Sequence, residues 1–419
     1  MNIWFIHHYA NPPELPGDAR HFSHARELIR RGHTVHIVAC GFAHQNHKQV
    51  YTRQQGAWHT TMHEGVAFTW LPAGSYRGEG FRRIFNMFQF AWSAAGRRWA
   101  RGLEKPDVVM GSSPHPFAAL AAERIAAHYR VPFVLEIRDP WPYVLTAVGG
   151  HSPLHPFVIL VDRTMRFLYR RAARIVMFSR HSAPLLVRLG APREKIEWIP
   201  HGVDLEMFPA QGPAPDDGVF TLTYIGAHNQ WNSLDTVLDA AKLLQDADGL
   251  RIEVQLVGAG NTKAGLVERA RNENIRNVRF VDAVPKQQVH PILRSSDAFV
   301  LNNRVDALSR DWMSFNKLYE YLGAGRPVVF GSRSEHDPVR ESGAGISVPA
   351  GDAPAMAEAI RALAALPAAE LAEMGARGRR HIEEHYNLTA LARRFETVLC
   401  EACQGNKAES GRGAAMARA

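Results

Sequence analysis

The chain has 419 residues, of which 46% are hydrophobic and 21% charged, with 33 glycines and 25 prolines. This composition is typical of a globular protein and excludes a disordered, collagen-like or coiled-coil chain. The length predicts two or three domains, since a domain usually has about 100–200 residues. The 3 cysteines cannot form a disulfide framework, so a reducing, cytoplasmic setting is expected.

Charge is distributed unevenly along the chain. Residues 1–200 contain 25 Lys and Arg against 13 Asp and Glu, whereas residues 201–419 contain 24 against 28. The first half is therefore expected to attract an anionic partner or surface more strongly than the second. An uneven distribution of charged surface residues that serves no function would give the same charge difference between the halves.

In the first half, short apolar runs alternate with helical stretches, which predicts a parallel sheet covered by helices on both faces. The predicted strands are Asn2–Ile6, Thr34–Ala39, Val66–Leu71, Val108–Gly111, Pro132–Ile137, Arg174–Phe178 and Ile196–Ile199. A helix is predicted between the first two strands, from about Asp18 to Arg31, because its apolar residues recur on one face.

The segment AQGPAPDDG at residues 210–218 predicts a linker, and a second alternation of strands and helices follows it. Strands are predicted at Phe220–Gly226, Ile252–Gly258, Val278–Val281, Ala298–Leu301 and Pro327–Gly331. Helices are predicted near 233–246, 263–272, 286–296, 315–324, 353–365, 367–385 and 388–403.

The predicted fold class is α/β, with two Rossmann-like doubly wound domains facing across a cleft. The domains are expected at residues 1–200 and 201–385, followed by a helix at 386–403 that packs back on the first domain and a disordered tail at 404–419. Ligands of such domains bind beyond the C-terminal ends of the strands.

Polar residues follow three predicted strands of the first half. Gly17 and Asp18 precede a helix start, where backbone N–H groups favour an anion. His115 lies between two prolines and could orient or polarise a substrate hydroxyl, or be a loop residue without a role. In the segment EIRDPWP, Arg138 and Asp139 could bind substrate or pair with each other.

Two strands of the second half end in glycines, in the segments YIGAHN and VGAGN. Both segments suit a backbone that passes close to a nucleotide, although neither completes a GxGxxG motif before a helix. No GxSxG or Walker A motif occurs, so serine hydrolase, kinase and simple dehydrogenase functions lose their main support.

The sharpest motif is SFNKLYEYLGAGRP at residues 314–327. Ser314 is a predicted N-cap of a helix that ends at glycines. Lys317 and Glu320 share a face of this helix, so Lys317 and the helix start could bind a diphosphate while Glu320 accepts hydrogen bonds from ribose hydroxyls. An ordinary surface ion pair would have the same spacing.

A metal site has little support in the sequence. Three histidine pairs have helical spacing but no acidic or cysteine partner beside them, and the CxxC at Cys400–Cys403 stands alone. The DxD at residues 246–248 falls in a predicted surface turn. Neither a metal nor another cofactor is expected.

These segments together resemble the family 4 glycosyltransferases of the GT-B fold, and more narrowly the WbuB-like enzymes of bacterial surface-polysaccharide assembly, such as O-antigen and capsule. The resemblance covers roughly residues 2–400. Its motifs are FIHHYANPPELPGDARHFSHARELIRRGHTVHIVA, SSPHPF, EIRDPWP, IPHGVD, YIGAHNQWNSLDTVLDAA, VQLVGAGNTK and FNKLYEYLGAGRPVV.

The resemblance implies transfer of a sugar, with retention of configuration, from a nucleotide-diphosphate sugar to a hydroxyl of a lipid-linked glycan. The residues themselves place no carboxylate pair or His/Cys set at a strand end, which predicts that this transfer needs no divalent metal. The implied catalytic residues are His115 near the donor sugar, Lys317 on the phosphates and Glu320 on the ribose. The predicted donor-binding residues are Gly17, Asp18, Gly226, Asn229, Gly258, Gly260, Asn261, Val284, Ser314, Phe315 and Asn316. Among them, the resemblance implies the Gly17 loop at the diphosphate, and Gly258–Asn261 and Val284 at the nucleotide base. Arg138, Asp139 and Trp141 are predicted on the acceptor side.

The chain departs from the family pattern at two places. Trp312 stands where the E-x7-E motif has its first Glu, and asparagines and a serine follow the strand Phe220–Gly226 where Arg and Lys are often found. A nucleotide-sugar 2-epimerase of the same architecture and a non-catalytic protein that binds nucleotide sugar or glycan are therefore alternatives.

Two basic segments have apolar residues at helical spacing. This pattern predicts that the protein docks on the anionic inner face of the cytoplasmic membrane. The first segment has Phe81, Ile84, Phe85, Phe88, Trp92, Ala95 and Trp99, flanked by Arg82, Arg83, Arg97, Arg98 and Arg101. The second has Phe157, Leu160, Val161, Phe167 and Leu168 beside four arginines. Two core-facing helices would show the same pattern. No nucleic-acid partner is expected.

Overall fold

The computed structural model describes residues 1–419 except 16–18, 45–47, 77, 79, 210–216, 246–248, 285–287, 306–311, 313–315 and 417–419; of residues 180 and 407–416 it describes the backbone alone. The chain forms two compact units. One consists of Met1–Pro200 and Leu388–Ala419, and the other of His201–Asn387. Most of the predicted linker at 210–218 lies outside the described residues.

The first unit is built on a sheet of eight strands among its described residues, in the order β10-β9-β8-β7-β1-β2-β6-β5. The strands of this sheet are β1 Asn2–Ile6, β2 Thr34–Cys40, β5 His59–His63, β6 Val66–Leu71, β7 Val108–Ser112, β8 Phe133–Ile137, β9 Arg174–Met177 and β10 Ile196–Trp198. Two short strands, β3 Phe42–Ala43 and β4 Lys48–Gln49, pair with each other in a separate antiparallel sheet. All neighbours in the large sheet are parallel except β5, which pairs antiparallel with β6.

Helices cover this sheet because its strands are apolar on both faces. Ile3 of β1 pairs with Val35 of β2 on one side and with Val108 of β7 on the other, and all three are buried. The α-helices of this unit are Arg20–Arg30, Phe81–Ala95, Pro116–Tyr129, Pro156–Arg171, Ala183–Arg188 and Leu388–Met416.

The C-terminal helix belongs to the first unit because its apolar face completes that unit's core. Phe395, Val398 and Leu399 join one buried cluster with Phe5 and Leu28. The helix runs from Leu388 to Met416, so it continues past the predicted end at 403. The predicted disordered tail at 404–419 is therefore wrong for residues 404–416, whose backbone is helical. Extending an existing helix costs far less than starting one, which lets it continue through a polar, glycine-containing segment.

The second unit has a parallel sheet of six strands among its described residues, in the order β13-β12-β11-β14-β15-β16. The strands are β11 Phe220–Ile225, β12 Ile252–Val257, β13 Val278–Val281, β14 Ala298–Asn302, β15 Val328–Gly331 and β16 Gly345–Val348. The α-helices are Leu234–Leu244, Lys263–Asn272, Val289–Ser295, Asn316–Gly323, Pro338–Ser342, Ala353–Ala364 and Ala368–His385.

Two parallel α/β sheets confirm the predicted fold class. In each sheet the strand order reverses at one place, between β1 and β7 in the first unit and between β11 and β14 in the second. Open α/β sheets bind ligands at such a reversal, beyond the carboxyl ends of the strands. The residues that follow these strands are therefore the first to consider as a functional site.

Candidate functional site

In the second unit, the end of β11 is joined to the start of the helix Asn316–Gly323. The Tyr321 hydroxyl donates to the carbonyl of Ile225 (2.9 Å) and accepts from the backbone N–H of Ile225 (2.8 Å). One turn earlier on the helix, the Lys317 ammonium donates to Oδ1 of Asn232 at 3.1 Å. A cation therefore lies at the end of the strand where the sheet order reverses.

Lys317 is enclosed by protein on several sides. Its ammonium lies 6.0 Å from the centre of the Tyr224 ring, and a Cβ at Gly226 would overlap its aliphatic carbons. Burial lowers the pKa of Lys317, and the nearby carboxylate of Glu320 opposes that shift. A partly desolvated ammonium attracts an anion more strongly than an exposed one, which favours a phosphate at this position.

The loop after β11 presents a neutral acceptor to Lys317. The Asn232 side-chain amide donates to Oδ1 of Asn229 (2.8 Å) and to the carbonyl of Ala227 (2.8 Å), which leaves its own Oδ1 for the lysine. Asn229 also accepts from the backbone N–H of Trp231 (3.1 Å). Asn229 is predicted to bind the donor, and in this structure its side chain forms hydrogen bonds within its own loop.

The glycines after β11 and β12 allow their loops to touch. The backbone N–H of His228 donates to the carbonyl of Ala259 (2.9 Å). Gly258 and Gly260 have φ values of +151° and +158°, and a Cβ at either would overlap the carbonyl oxygen of Gly226 or His228. Burial is the main cause that lowers the pKa of His228, to about 4, so its imidazole is neutral at pH 7.

A second lysine, not predicted as a site residue, closes this edge of the sheet. The Lys263 ammonium donates to the carbonyls of Gly258 and Val281, both at 2.9 Å, and to the carboxylate of Asp282 at 2.7 Å. It joins the ends of β12 and β13, so its role is to fix the backbone that presents Gly258. No motif in the sequence indicated this role.

Four more of the predicted donor-site residues are described near this edge of the second unit. Glu320 is half-buried on the helix of Lys317, Asn316 lies at its first position, Asn261 is exposed and Val284 is half-buried. Gly17, Asp18, Ser314 and Phe315 lie outside the described residues. Trp312, which replaces the first Glu of the family motif, is buried. The positions of these residues do not show whether their side chains contact a substrate, so their roles stay predictions.

In the first unit, His115 lies at the reversal of the sheet order, after β7. It caps the helix Pro116–Tyr129, and its Nδ1 accepts from the backbone N–H of Ala118 at 3.3 Å. Its proton is therefore on Nε2, which donates to Nδ1 of His8 at 2.8 Å. His8 follows β1, so this hydrogen bond joins the two strands that flank the reversal.

Asn86, on the helix Phe81–Ala95, lies next to His8. Its side-chain amide donates to the carbonyl of Gly74 (2.6 Å), which leaves its oxygen as the polar neighbour of His8. Burial, and secondarily the charge of Arg83, lowers the pKa of His115 to about 3. Both rings are neutral, and His115 is engaged at both nitrogens within this unit.

These neutral histidines should make the first unit sensitive to acid. An unfolded histidine titrates near pH 6.5, so below that pH the unfolded chain binds protons that the buried rings exclude. The free energy of unfolding should then fall by about 1.4 kcal/mol per pH unit for each such ring. We expect His115→Asn, which retains a capping acceptor, to reduce this slope in urea unfolding between pH 6.5 and 5. The same slope in His115→Asn and in the exposed control His151→Asn would contradict the assignment.

The predicted acceptor-side residues follow β8, next to β7. The Arg138 backbone N–H donates to the hydroxyl of Ser113 (3.3 Å), and its guanidinium carbon lies 5.3 Å from the centre of the Phe178 ring. Burial raises the pKa of Asp139 to about 6, although Arg138 and Arg83 oppose the shift. Near neutral pH this carboxylate can accept a proton more readily than an ordinary aspartate.

Trp141 and Arg83 complete this part of the first unit. Trp141 packs against the small apolar cluster of Met87, Phe117 and Val161. Arg83 comes from the helix Phe81–Ala95, and its charge acts on Tyr9, His115 and Asp139. The sequence had placed Arg83 beside a membrane-facing stripe, but the structure turns it towards the ends of the strands.

Glu136 lies at the centre of a buried cluster of polar side chains that the sequence analysis does not predict. Its carboxylate accepts from Arg20 Nε (3.1 Å), from the Ser112 hydroxyl (2.6 Å) and from His21 Nε2 (2.6 Å). Burial alone would raise the pKa of Glu136, but His21, Arg20 and Arg138 together hold it well below its usual range.

The same cluster has the spacing of a metal site, since ligand atoms of His7, His21 and Glu136 lie within 4.8 Å of one another. However, Nδ1 of His7 accepts from the backbone N–H of Tyr9 at 3.0 Å, so a neutral His7 carries its proton on Nε2. Arg20 already neutralises the carboxylate. These contacts fit a structural ion pair better than a metal site.

Two family profiles match successive parts of the chain. The profile described as Glycosyltransferase Family 4 matches residues 22–207, and the profile described as Glycosyl transferases group 1 matches residues 219–365. The chain is a family 4 glycosyltransferase. The finer assignment to the WbuB-like branch stays a prediction.

This glycosyltransferase is 26% identical over 240 residues to the putative colanic acid biosynthesis glycosyltransferase WcaL of Escherichia coli K12. The match covers 55% of this chain and 57% of that protein, so the chain spans little more than half of this relative.

Solved structures share the fold over nearly the whole chain. Sucrose-phosphate synthase from Thermosynechococcus elongatus has a TM-score of 0.72 at 14% identity, over 95% of this chain and 98% of that one. HepE from Anabaena, solved with UDP and glucose, has a TM-score of 0.64 at 12% identity, over 95% and 99%. These likenesses show the GT-B fold.

Proposed function

We propose that this glycosyltransferase moves a sugar, with retention of configuration, from a nucleotide-diphosphate sugar to a hydroxyl of a glycan during bacterial surface-polysaccharide synthesis. The observation that carries the proposal is the partly desolvated ammonium of Lys317 at the end of β11, with Glu320 one turn further along the same helix. Support comes from the colanic acid relative and from HepE, which was solved in complex with UDP and glucose.

Lys317 would act on the departing diphosphate. Negative charge grows on the leaving phosphate as the bond to the sugar breaks, and a fixed cation in a partly dry site stabilises that charge. In such a front-face reaction the leaving phosphate takes the proton of the acceptor hydroxyl, so no protein nucleophile is needed. Arg138 and Asp139, after β8, would hold and orient the acceptor hydroxyl.

Glu320 would bind the ribose of the donor. A carboxylate accepts hydrogen bonds from two neighbouring hydroxyls, and such charged hydrogen bonds contribute about 1.5–3 kcal/mol. Glu320→Gln should therefore weaken binding of the nucleoside diphosphate by about 10-fold or more. Calorimetric titration with UDP, GDP and dTDP measures this and identifies the base. Unchanged affinity in a folded Glu320→Gln protein would remove Glu320 from the site.

We also propose that catalysis needs no divalent metal, because Lys317 and the start of its helix supply positive charge where a cation would otherwise be required. We expect full activity after dialysis against EDTA. Activity that EDTA abolishes and Mg²⁺ or Mn²⁺ restores would contradict this part of the proposal.

The acceptor is proposed to be lipid-linked, with the enzyme bound peripherally at the inner face of the cytoplasmic membrane. None of the described helices is long and apolar enough to span a bilayer. Attraction between the basic first half and acidic lipids would bring the enzyme to its acceptor. We also propose that the chain belongs to the WbuB-like branch of the family.

A further inference from the structure

The helix Phe81–Ala95 has two chemically different faces. Phe81, Phe85, Phe88 and Trp92 are 78%, 53%, 41% and 84% exposed. At 3.6 residues per turn these four side chains fall within an arc of about 60°. We call them the aromatic stripe. Asn86, Met87, Phe90 and Ala94 are buried on the opposite side.

This arrangement decides which of the two predicted apolar segments is free to meet a partner. Trp99 of the first segment is buried, but the aromatic stripe is exposed. In the second segment Val161 and Leu168 are buried, Phe157 and Phe167 are half-buried and Leu160 alone is exposed, so that segment offers a smaller exposed apolar surface. Large aromatic side chains in water are unfavourable, and a contiguous set of them on one helix marks a contact surface.

Positive charge borders the aromatic stripe. Residues 80–103 contain five arginines and no aspartate or glutamate. Arg82 on the helix, and Arg98 and Arg101 just beyond its end, are exposed. Aromatic rings at the level of the lipid headgroups, with arginines beside acidic phosphates, are typical of a helix that lies in a membrane interface.

We propose that the aromatic stripe inserts into the interfacial region of an anionic lipid bilayer. The proposal rests on the proposed function, because a lipid-linked acceptor must be met at a membrane. It goes further by naming the helix that inserts and by predicting an apolar component of binding that salt does not remove. Two copies of this chain joined symmetrically through the stripe would bring like-charged arginines together, which disfavours a dimer here.

The buried face of the same helix reaches the candidate acceptor site. Asn86 lies against His8, and the charge of Arg83 acts on Asp139 and Tyr9. One rigid helix therefore connects the aromatic stripe with the ends of β1 and β8. Insertion of the stripe would place those strand ends beside the headgroups, where the sugar of a lipid-linked acceptor lies.

The test is sedimentation of the full chain with vesicles of phosphatidylcholine containing about one third phosphatidylglycerol, at low and high salt, without donor or acceptor. We expect the wild-type chain to bind, with a fraction that high salt leaves bound. Phe85→Ser/Trp92→Ser should lower the partition coefficient at least 10-fold and remove the salt-resistant fraction. Leu243→Ser, at a 52% exposed leucine in the second unit, should leave binding unchanged.

Urea unfolding of the double variant is the folding control, because Phe85 and Trp92 are exposed and their replacement should change the stability of the first unit little. Quenching of tryptophan fluorescence by brominated lipids should diminish in Trp92→Phe. Wild-type-like partitioning of the double variant, or a wild-type dimer that this variant converts to monomer, would overturn the proposal. This experiment measures no sugar transfer, so a negative result would reject membrane insertion and leave the proposed reaction untouched. Conversely, a protein that binds vesicles but transfers no sugar would reject the proposed reaction and leave membrane insertion untouched.

Discussion

Replacing Lys317 with methionine should reduce kcat/KM for sugar transfer by about 10²–10³, the loss typical when one charge-stabilising group is removed from an active site. Methionine retains much of the aliphatic volume beside Gly226, so packing should change little. The removed ammonium is the group that would stabilise the departing diphosphate. Steady-state kinetics with a saturating acceptor measures the effect.

Lys242→Met is the matched control for that experiment. Lys242 is half-exposed and pairs with Glu273 at 2.9 Å on the surface of the same unit. A surface ion pair contributes little, so we expect activity within a factor of two of the wild-type value. Equal activity of Lys317→Met and Lys242→Met would show that Lys317 does not act on the reaction.

Replacing Arg20 with methionine should destabilise the first unit by about 3–5 kcal/mol, because it removes the guanidinium that pairs with the buried carboxylate of Glu136. Arg20 also donates to the carbonyls of Pro200 (2.6 Å) and Ile199 (3.0 Å), which lose their partners. Urea unfolding measures the loss. The surface control Arg166→Met, which breaks the exposed i,i+4 pair with Asp162 on the helix Pro156–Arg171, should cost no more than about 1 kcal/mol.

The effect of Arg20→Met should depend on pH in a defined direction. The folded protein holds the pKa of Glu136 below its unfolded value, so this stabilisation is present above the unfolded pKa and is lost as the pH falls through the folded pKa. The difference between wild type and Arg20→Met should therefore shrink in acid. Arg20→Met/Glu136→Gln should recover part of the loss at neutral pH. A difference that grows in acid would reject the buried ion pair as its cause.

Much of the fold follows from local sequence pattern because parallel strands in this protein are apolar on both faces. Asn2–Ile6, Val66–Leu71 and Val278–Val281 were predicted at their observed bounds, and other predicted strands differ by about one residue. The strand β5, with the sequence HTTMH, was missed because it is a polar edge strand that faces water. The strand β16 begins with a glycine in the segment GISV and has no strong apolar run.

The candidate site could be predicted only where its residues are close in sequence. Lys317 and Glu320 share one helix, so spacing alone placed them together. Glu136 and Arg20 are 116 positions apart, and only the parallel sheet brings them into contact. Arg83 was assigned to the wrong face because periodicity gives the spacing of side chains on a helix but does not show which side packs inward.

Acceptor-dependent release of nucleoside diphosphate tests the central claim most directly. The protein would be incubated with a labelled nucleotide sugar, chosen by its binding titration, with and without a membrane extract containing glycan acceptors. The account predicts label in the lipid-extractable glycan and release of one nucleoside diphosphate per sugar transferred. Both should be absent without extract and about 10²–10³ lower in Lys317→Met. Conversion of the free nucleotide sugar without acceptor, as in a 2-epimerase, or tight binding without turnover would contradict it.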